Sequence, residues 1–369
     1  MSSDLERARA LILAFGTGTT CYQILNPGFT LWFSEAGDAV VGYVPYRNVR
    51  VVGGEPVCPG HRLADVAAEF ERDAGREGAR VCYFGAETRL RRIYRPVPAG
   101  YPSPPSRDAA RHAILPIGGQ PVWDPRRWPE MLHGHASLRA QVNRARNKGV
   151  TVAEWTPEQA RDNPALRQCL NAWLETRGLP PLHFLIETDT LARPLDRRFF
   201  VAACRGQVIA FLVAAPIPGR RGWLVEQIVR GHAAVNGTSE LLVDACTRAV
   251  AQAGSRCLTL GLAPLARRPG TTEHLPPLWL RSALGWMRAH ANRFYNFRGL
   301  EAFKAKFRPS TWEPVFAIAN APAISPAMLY AVAGAFAGGP PGRLLARSLT
   351  RALQHETARA YRHVRHLIP

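Results

Sequence analysis

The segment GLEAFKAKFRPSTWEP holds Lys304 and Lys306, two of only three lysines among the 47 basic residues of a 369-residue chain. Where arginine serves the generic positive surface, lysine marks places that need a compact point charge. Both lysines are therefore candidates for contact with a phosphate or a developing oxyanion. Two positions apart on a helix, they diverge by about 200°, so one is expected to face the site and the other solvent. Arg230, at the end of GWLVEQIVR, offers a planar fork to a phosphate. Glu240 follows Asn236 and Gly237 in a first helical turn, either as a favourable N-terminal charge or as a group that binds an amine or accepts a proton. His183 in GLPPLHFL is a base near neutral pH or, as a lone histidine beside apolar residues, a structural one. There is no GxSxG elbow, the cysteines carry no nucleophile signature, and His133 and His135 lack a third metal ligand, so neither covalent catalysis nor a metal is expected.

These residues need elements to position them. In the first half, FTLWFSEAG and AVVGYVPYRNVRVVGGEPV read as strands, LADVAAEFERDAGREG as an amphipathic helix ending at Gly78, and ARVCYFG as a short buried strand. A proline-rich tract, VPAGYPSPPSRD and ILPIGGQPVWDPRRWP, is expected to break regular structure. ASLRAQVNRARNKGV is a basic helix stopped by Gly149, and LRQCLNAWLETRG a second helix stopped by Gly178. RRFFVAACRGQVIAFLVAAPI forms a hairpin at Arg205-Gly206, followed by the strand GWLVEQIVR. Leu241, Leu242, Ala245, Ala249, Val250 and Ala253 then recur at helical spacing before the strand CLTLGLAPL. The order strand, strand, helix, strand occurs twice, which predicts an α/β protein of duplicated lobes, each in the order of a GNAT-type acyltransferase. The crossover loop RGHAAVNGTSELL lacks the clustered glycines that cradle a CoA pyrophosphate, so no CoA cofactor is expected.

The net charge of +19 points to polyanionic partners, nucleic acid or anionic lipid, although liberal use of arginine by a GC-rich genome would also raise it. Seven well-separated cysteines suit reduced thiols, and no secretory signal is read at the N-terminus.

LRAQVNRARNKGV, VNGTSELLVDA, LTLGLAPL and FYNFRGLEAFKAKFRPSTWEPVF together resemble the C-terminal catalytic domain of the phosphatidylglycerol lysyltransferase family, over roughly Tyr46 to Asn320. The resemblance implies two tandem GNAT-like lobes that move an aminoacyl group from aminoacyl-tRNA to a lipid hydroxyl. Aminoacyl-tRNA and an anionic phospholipid are then the partners, and the cytoplasmic face of the membrane the location. The catalytic candidates are Lys304, Lys306, Arg230, Glu240 and His183, and the substrate-binding candidates Glu226, Gln227, Asn236, Arg298 and Arg308. Arg139, Arg144, Arg146 and Lys148, in a helix also similar to one in Fem-type aminoacyltransferases, would meet tRNA phosphates. Typical members have aspartate three residues before the arginine matching Arg230; here Gln227 stands there beside Glu226, which leaves the transferred amino acid open. The alternatives are a Fem-like or CoA-dependent N-acyltransferase, and a non-catalytic RNA- or membrane-binding protein.

The expected domains are an N-terminal lobe over 1–130, a catalytic lobe over 131–320 and a helical tail over 321–369. In the tail MLYAVAGAFAG is too short to span a bilayer, and the segment from Gly342 onward reads as a basic amphipathic helix suited to an anionic surface.

Overall fold

The computed structural model describes residues 3–94, 112–176, 183–264, 266 and 297–342. After α1 (Ser3–Phe15) the chain forms β1 (Thr30–Phe33), β2 (Val40–Tyr46), β3 (Val49–Gly53), α2 (Leu63–Arg76), β4 (Arg80–Ala86), α3 (Thr88–Tyr94) and β5 (Ala113–Trp123). Next come α4 (Trp128–His133), α5 (Ala136–Asn147), β6 (Val150–Trp155), α6 (Pro157–Ala160), α7 (Pro164–Glu175), β7 (Arg198–Cys204), β8 (Gln207–Ile217) and β9 (Gly222–Arg230). The remainder is α8 (Thr238–Gln252), β10 (Cys257–Thr259), β11 (Ala263–Pro264), α9 (Phe297–Ala305), β12 (Thr311–Ala319) and α10 (Pro326–Ala337).

The described strands make one sheet in the order β1-β2-β3-β4-β12-β5-β10-β9-β8-β7-β6, with β11 also beside β5. The duplication read from the sequence is present. β3 runs parallel to β4 across helix α2, and β9 parallel to β10 across helix α8, while the other pairs are antiparallel. A parallel pair needs a crossover helix, and each helix has the apolar stripe that covers its sheet. Val66, Phe70 and Ala74 of α2 pack on Val52, Val81 and Tyr83. Leu242, Cys246 and Val250 of α8 pack on Phe200, Leu212 and Val225.

Of the proline-rich tract, VPAGYPSPPSRD lies outside the described residues, and ILPIGGQPVW differs from expectation. Residues 113–123 are an eleven-residue strand, β5, inside the sheet. Pro116 is tolerated beside a bulge, where the register with β12 shifts between Val315 and Phe316. Pro121 falls between the pairings with β11, at Gly118 and Gly119, and with β10, at Val122 and Trp123. At both places a missing N–H disrupts the ladder least.

The chain ends interleave the two halves. β12 lies between β4 and β5, pairing with both, and α10 sets Met328, Ala331 and Ala335 on Val49, Val51 and Cys82. At the other end Gly16 accepts a bond from Gly219, so α1 abuts the β8–β9 turn. No helix of the described residues is long and apolar enough to cross a membrane. The basic segment 343–369 lies outside the described residues.

Candidate active site

β9 pairs with β10 only from Gly222 to Leu224, and the chain after β10 then swings away so that Ala263 pairs with Gly119 of β5. Among the described residues, β9 from Val225 to Arg230 keeps only β8 as a strand neighbour. The sheet therefore opens beside the N-terminus of α8, and the lysine-bearing α9 segment meets this region.

Lys304 holds one edge of the opening. Its Nζ donates to the carbonyls of Gly261 (2.9 Å) and Leu262 (2.7 Å), at the turn where the chain leaves β10. Burial without a carboxylate partner pushes its pKa down to about 7. The neutral amine retains two N–H groups, enough for both carbonyls. Because the folded pKa lies below the unfolded value, the folded state binds fewer protons between about pH 7 and the ordinary lysine range, and stability rises with pH there. The Lys304 contribution should approach about 1.4 kcal/mol per pH unit within that window. Denaturant midpoints measured from pH 7 to 9 should show this slope, and Lys304→Met should flatten it; an unchanged slope would show that Lys304 is not buried.

Lys306 points elsewhere and pairs with Glu240 in the first turn of α8. The lysine side chain is 32% exposed and the carboxylate 10%, so the pair is reachable on the lysine side. The Phe303 ring centre is 5.0 Å from Nζ. The backbone that carries Lys306 is fixed by two rings: His135 Nε2 donates to the Lys306 carbonyl (3.0 Å) and Trp123 Nε1 to that of Phe307 (2.8 Å). These bonds satisfy carbonyls that a helix C-terminus leaves open. The divergence of the two lysines is as read, but neither faces open solvent.

The start of α8 is placed by Gly237, whose φ of 95° is left-handed and whose added Cβ would lie 2.1 Å from the Gln141 carbonyl of α5. Gly237→Ala should lower stability by at least about 2 kcal/mol through backbone strain and overpacking, seen as a fall in the denaturation midpoint. A neutral result would mean that α5 does not press on this turn.

The other expected residues separate. Arg230 is exposed at the end of β9 and donates to the Ala234 carbonyl (3.2 Å). Asn236 is exposed in the same loop, and Arg308 is exposed where the chain leaves α9, with φ 45°. Arg298 lies in α9, but its side chain is outside the described residues. Glu226 and Gln227 are not free to meet a substrate amine. Glu226 is the extra residue of a bulge in β9 and takes two bonds from Arg197, at 2.7 and 3.0 Å, with both side chains buried. Gln227 is buried between the Thr190 hydroxyl and the Thr188 carbonyl. His183 stands apart from the Lys306–Glu240 pair. Its ring faces Glu187, its amide bonds to Phe336 at the end of α10, and the adjacent Phe184 sits in the core of the first half.

On α5, Arg144 and Lys148 are exposed. Arg139 donates to the Leu132 carbonyl, and Arg146 reaches the fully buried Asp244 (2.8 Å), which also accepts from Trp128 and Arg248. Asp244 was legible only as an acid on the apolar face of α8. His135 shows in the sequence only as a histidine without a third metal ligand, and no local pattern betrays its bond to the Lys306 backbone. Burial pushes the thiols of Cys58, Cys169 and Cys257 up to about 11 and those of Cys82 and Cys246 to about 12, far from thiolate nucleophiles. Among the described residues no cluster could hold a metal ion.

A tandem α/β architecture with splayed parallel strands and a crossover helix defines a GNAT-like acyltransferase fold, the class expected from the order of elements. Residues 9–319 match the family model for the C-terminal domain of phosphatidylglycerol lysyltransferase, and the chain belongs to that family. The fold is similar to a structure described as the C-terminal domain of a lysylphosphatidylglycerol synthetase from Agrobacterium fabrum, with TM-score 0.74 and 21% identity over 92% of this chain and 98% of that one. It is also similar to L-PGS from Bacillus licheniformis, with TM-score 0.70 and 18% identity over 94% and 96%. The lysylphosphatidylglycerol biosynthesis bifunctional protein LysX of Gordonia bronchialis is 26% identical over 330 residues, 86% of this chain and 27% of that protein. The chain thus spans about a quarter of that curated relative's length.

Proposed function

We propose that this chain transfers an aminoacyl group from aminoacyl-tRNA to the hydroxyl of an anionic, phosphatidylglycerol-like lipid at the cytoplasmic face of a membrane. The carrying observation is the accessible Lys306–Glu240 pair beside the opened edge of β9. The lipid hydroxyl oxygen attacks the aminoacyl carbonyl and gives up its proton. The tetrahedral oxyanion then collapses, the ester bond to the tRNA ribose breaks, and the departing ribose oxygen takes up the proton released by the lipid hydroxyl. The donor ester is already activated, so alignment and oxyanion stabilisation suffice, with no cofactor. The Lys306 ammonium faces the developing oxyanion, and Glu240 is a positioning residue that holds it. Arg230 and Asn236, exposed around the loop that follows β9, and Arg308, exposed just after α9, meet substrate phosphates, and Arg144 and Lys148 meet the tRNA backbone, where charge and shape dominate recognition. The family membership supports lipid aminoacylation, and the absence of clustered glycines in the crossover loop argues against a CoA donor.

Lipid aminoacylation in an extract containing the protein should vanish after RNase treatment, with the product read by mass spectrometry as a lipid heavier by one aminoacyl residue. Transfer that survives RNase and requires acyl-CoA would overturn the proposal.

A further inference from the structure

Away from the lysine pair, a cavity of about 290 Å³ lies between α1 and the 192–197 loop. Arg9, Arg161, Arg193 and Arg197 line it together with apolar Leu5 and Leu25. Two of the guanidinium groups are neutralised: Arg9 forms two bonds to Asp196, at 2.5 and 2.6 Å, and Arg197 is held by Glu226. Arg193 spends one N–H on the Leu25 carbonyl (2.8 Å). Neither Arg193 nor Arg161 forms an ion pair among the described residues, although Arg161 is near enough to Glu158, in the turn before it, to contribute to lowering that carboxyl's pKa. Two positive charges thus converge on a hollow with partly apolar walls, and no mechanistic step above uses them.

We propose that this cavity is an anion-anchoring subsite that takes the phosphodiester headgroup of a lipid, with Arg161 and Arg193 as the phosphate ligands. The guanidinium fork matches phosphate oxygens, and the apolar wall suits the glycerol and first methylenes of an amphiphile. An RNA segment fits less well. Single-stranded RNA is held by bases stacking on exposed aromatic faces, whereas the aromatic residue lining this cavity, Tyr22, is buried and gives its hydroxyl to Leu195 and Asp196. Arg197 of the cavity wall, just before β7, is tied to Glu226 of β9, the strand that ends at Arg230, so an anchored headgroup would be held next to the element that borders the transfer site. The choice of a lipid occupant rests on the proposed function; the anion chemistry of the cavity does not.

The test is calorimetric titration of the whole protein with dihexanoyl-phosphatidylglycerol below its micellar concentration. Wild type should bind, the doubly substituted Arg161→Ala, Arg193→Ala protein should bind at least about tenfold more weakly, and dihexanoylglycerol, which lacks phosphate, should give no heat. Arg161→Glu, which removes no side-chain hydrogen bond found among the described residues, should weaken binding likewise and guards against a folding artefact. Inorganic phosphate that binds as tightly as the lipid, and is lost in the same variants, would support the anion site and make free phosphate its source. Unchanged lipid affinity in both variants would overturn the subsite. Weakened binding of an acceptor-stem RNA with lipid binding intact would also overturn it, in favour of RNA. The titration contains no aminoacyl-tRNA: arginine-dependent lipid binding without any transfer would refute the proposed function alone, and transfer with an unchanged lipid KM in the double variant would refute the subsite alone.

Discussion

Lys306→Ala should lower the single-turnover rate of aminoacyl transfer about a hundredfold, roughly 2.7 kcal/mol of transition-state stabilisation, while the protein stays folded. The expectation follows from placement. Lys306 is half-buried, its backbone is pinned through His135 and Trp123, and its ammonium is oriented by Glu240 and flanked by the Phe303 ring. A fixed charge needs no reorganisation as the oxyanion forms, which is where preorganised electrostatics has its largest effect. Glu240→Gln should cost about tenfold, because it loosens the lysine without removing it, and should leave KM for the lipid nearly unchanged. Lys306→Arg keeps the charge but spreads it over a planar fork and should recover only part of the rate. The measurement is transfer of labelled aminoacyl groups from charged tRNA to lipid, with circular dichroism as the fold control. Wild-type rates in folded Lys306→Ala would remove this residue from the chemistry.

The largest stability effect is expected at Glu226. Its carboxylate and the Arg197 guanidinium are buried together, with side-chain exposures of 4% and 3%. Arg197 also donates to Asn26 Oδ1 (2.9 Å) and to the Arg193 carbonyl (2.7 Å), and its guanidinium carbon lies 5.0 Å from the centre of the Tyr22 ring. Glu226→Ala would leave a buried guanidinium without its counter-charge, and breaking such a pair from one side costs about 3–5 kcal/mol. Replacing both partners with apolar residues, Arg197→Met with Glu226→Leu, should be markedly milder, since no uncompensated charge remains. Chemical denaturation of the two variants measures the difference. A loss below about 1 kcal/mol in Glu226→Ala, within the range of exposed ion pairs, would show that water reaches Arg197. Because Asn26 lies in the first half of the chain and β9 in the second, the same pair clamps the halves together.

Much of this was legible locally. The periodicity of Val66, Phe70 and Ala74, and of Leu242, Cys246 and Val250, specifies two crossover helices, and the strand runs around each specify the parallel pairs they cover. The order of those elements was enough to indicate the duplicated acyltransferase architecture, and the block containing Lys304 and Lys306 was enough to single out its chemistry. The proline tract misled because proline is disfavoured by the local ladder, yet bulges and gaps in pairing, set by β10, β11 and β12 far away in sequence, relieve it.

Residue types and spacing therefore determined the class of fold, the avoidance of lysine outside a few positions, and the fact that Lys304 and Lys306 must diverge, since 3.6 residues per turn allows nothing else. Only the tertiary structure decided what each meets. Lys304 is claimed by two backbone carbonyls more than forty positions away, and Lys306 by a carboxylate on another helix. Glu226, apparently available beside Gln227, is consumed by Arg197. A charge's partner depends on which groups long-range packing brings within a few ångströms and how far it strips them of water, and neither is encoded in the residues next to it.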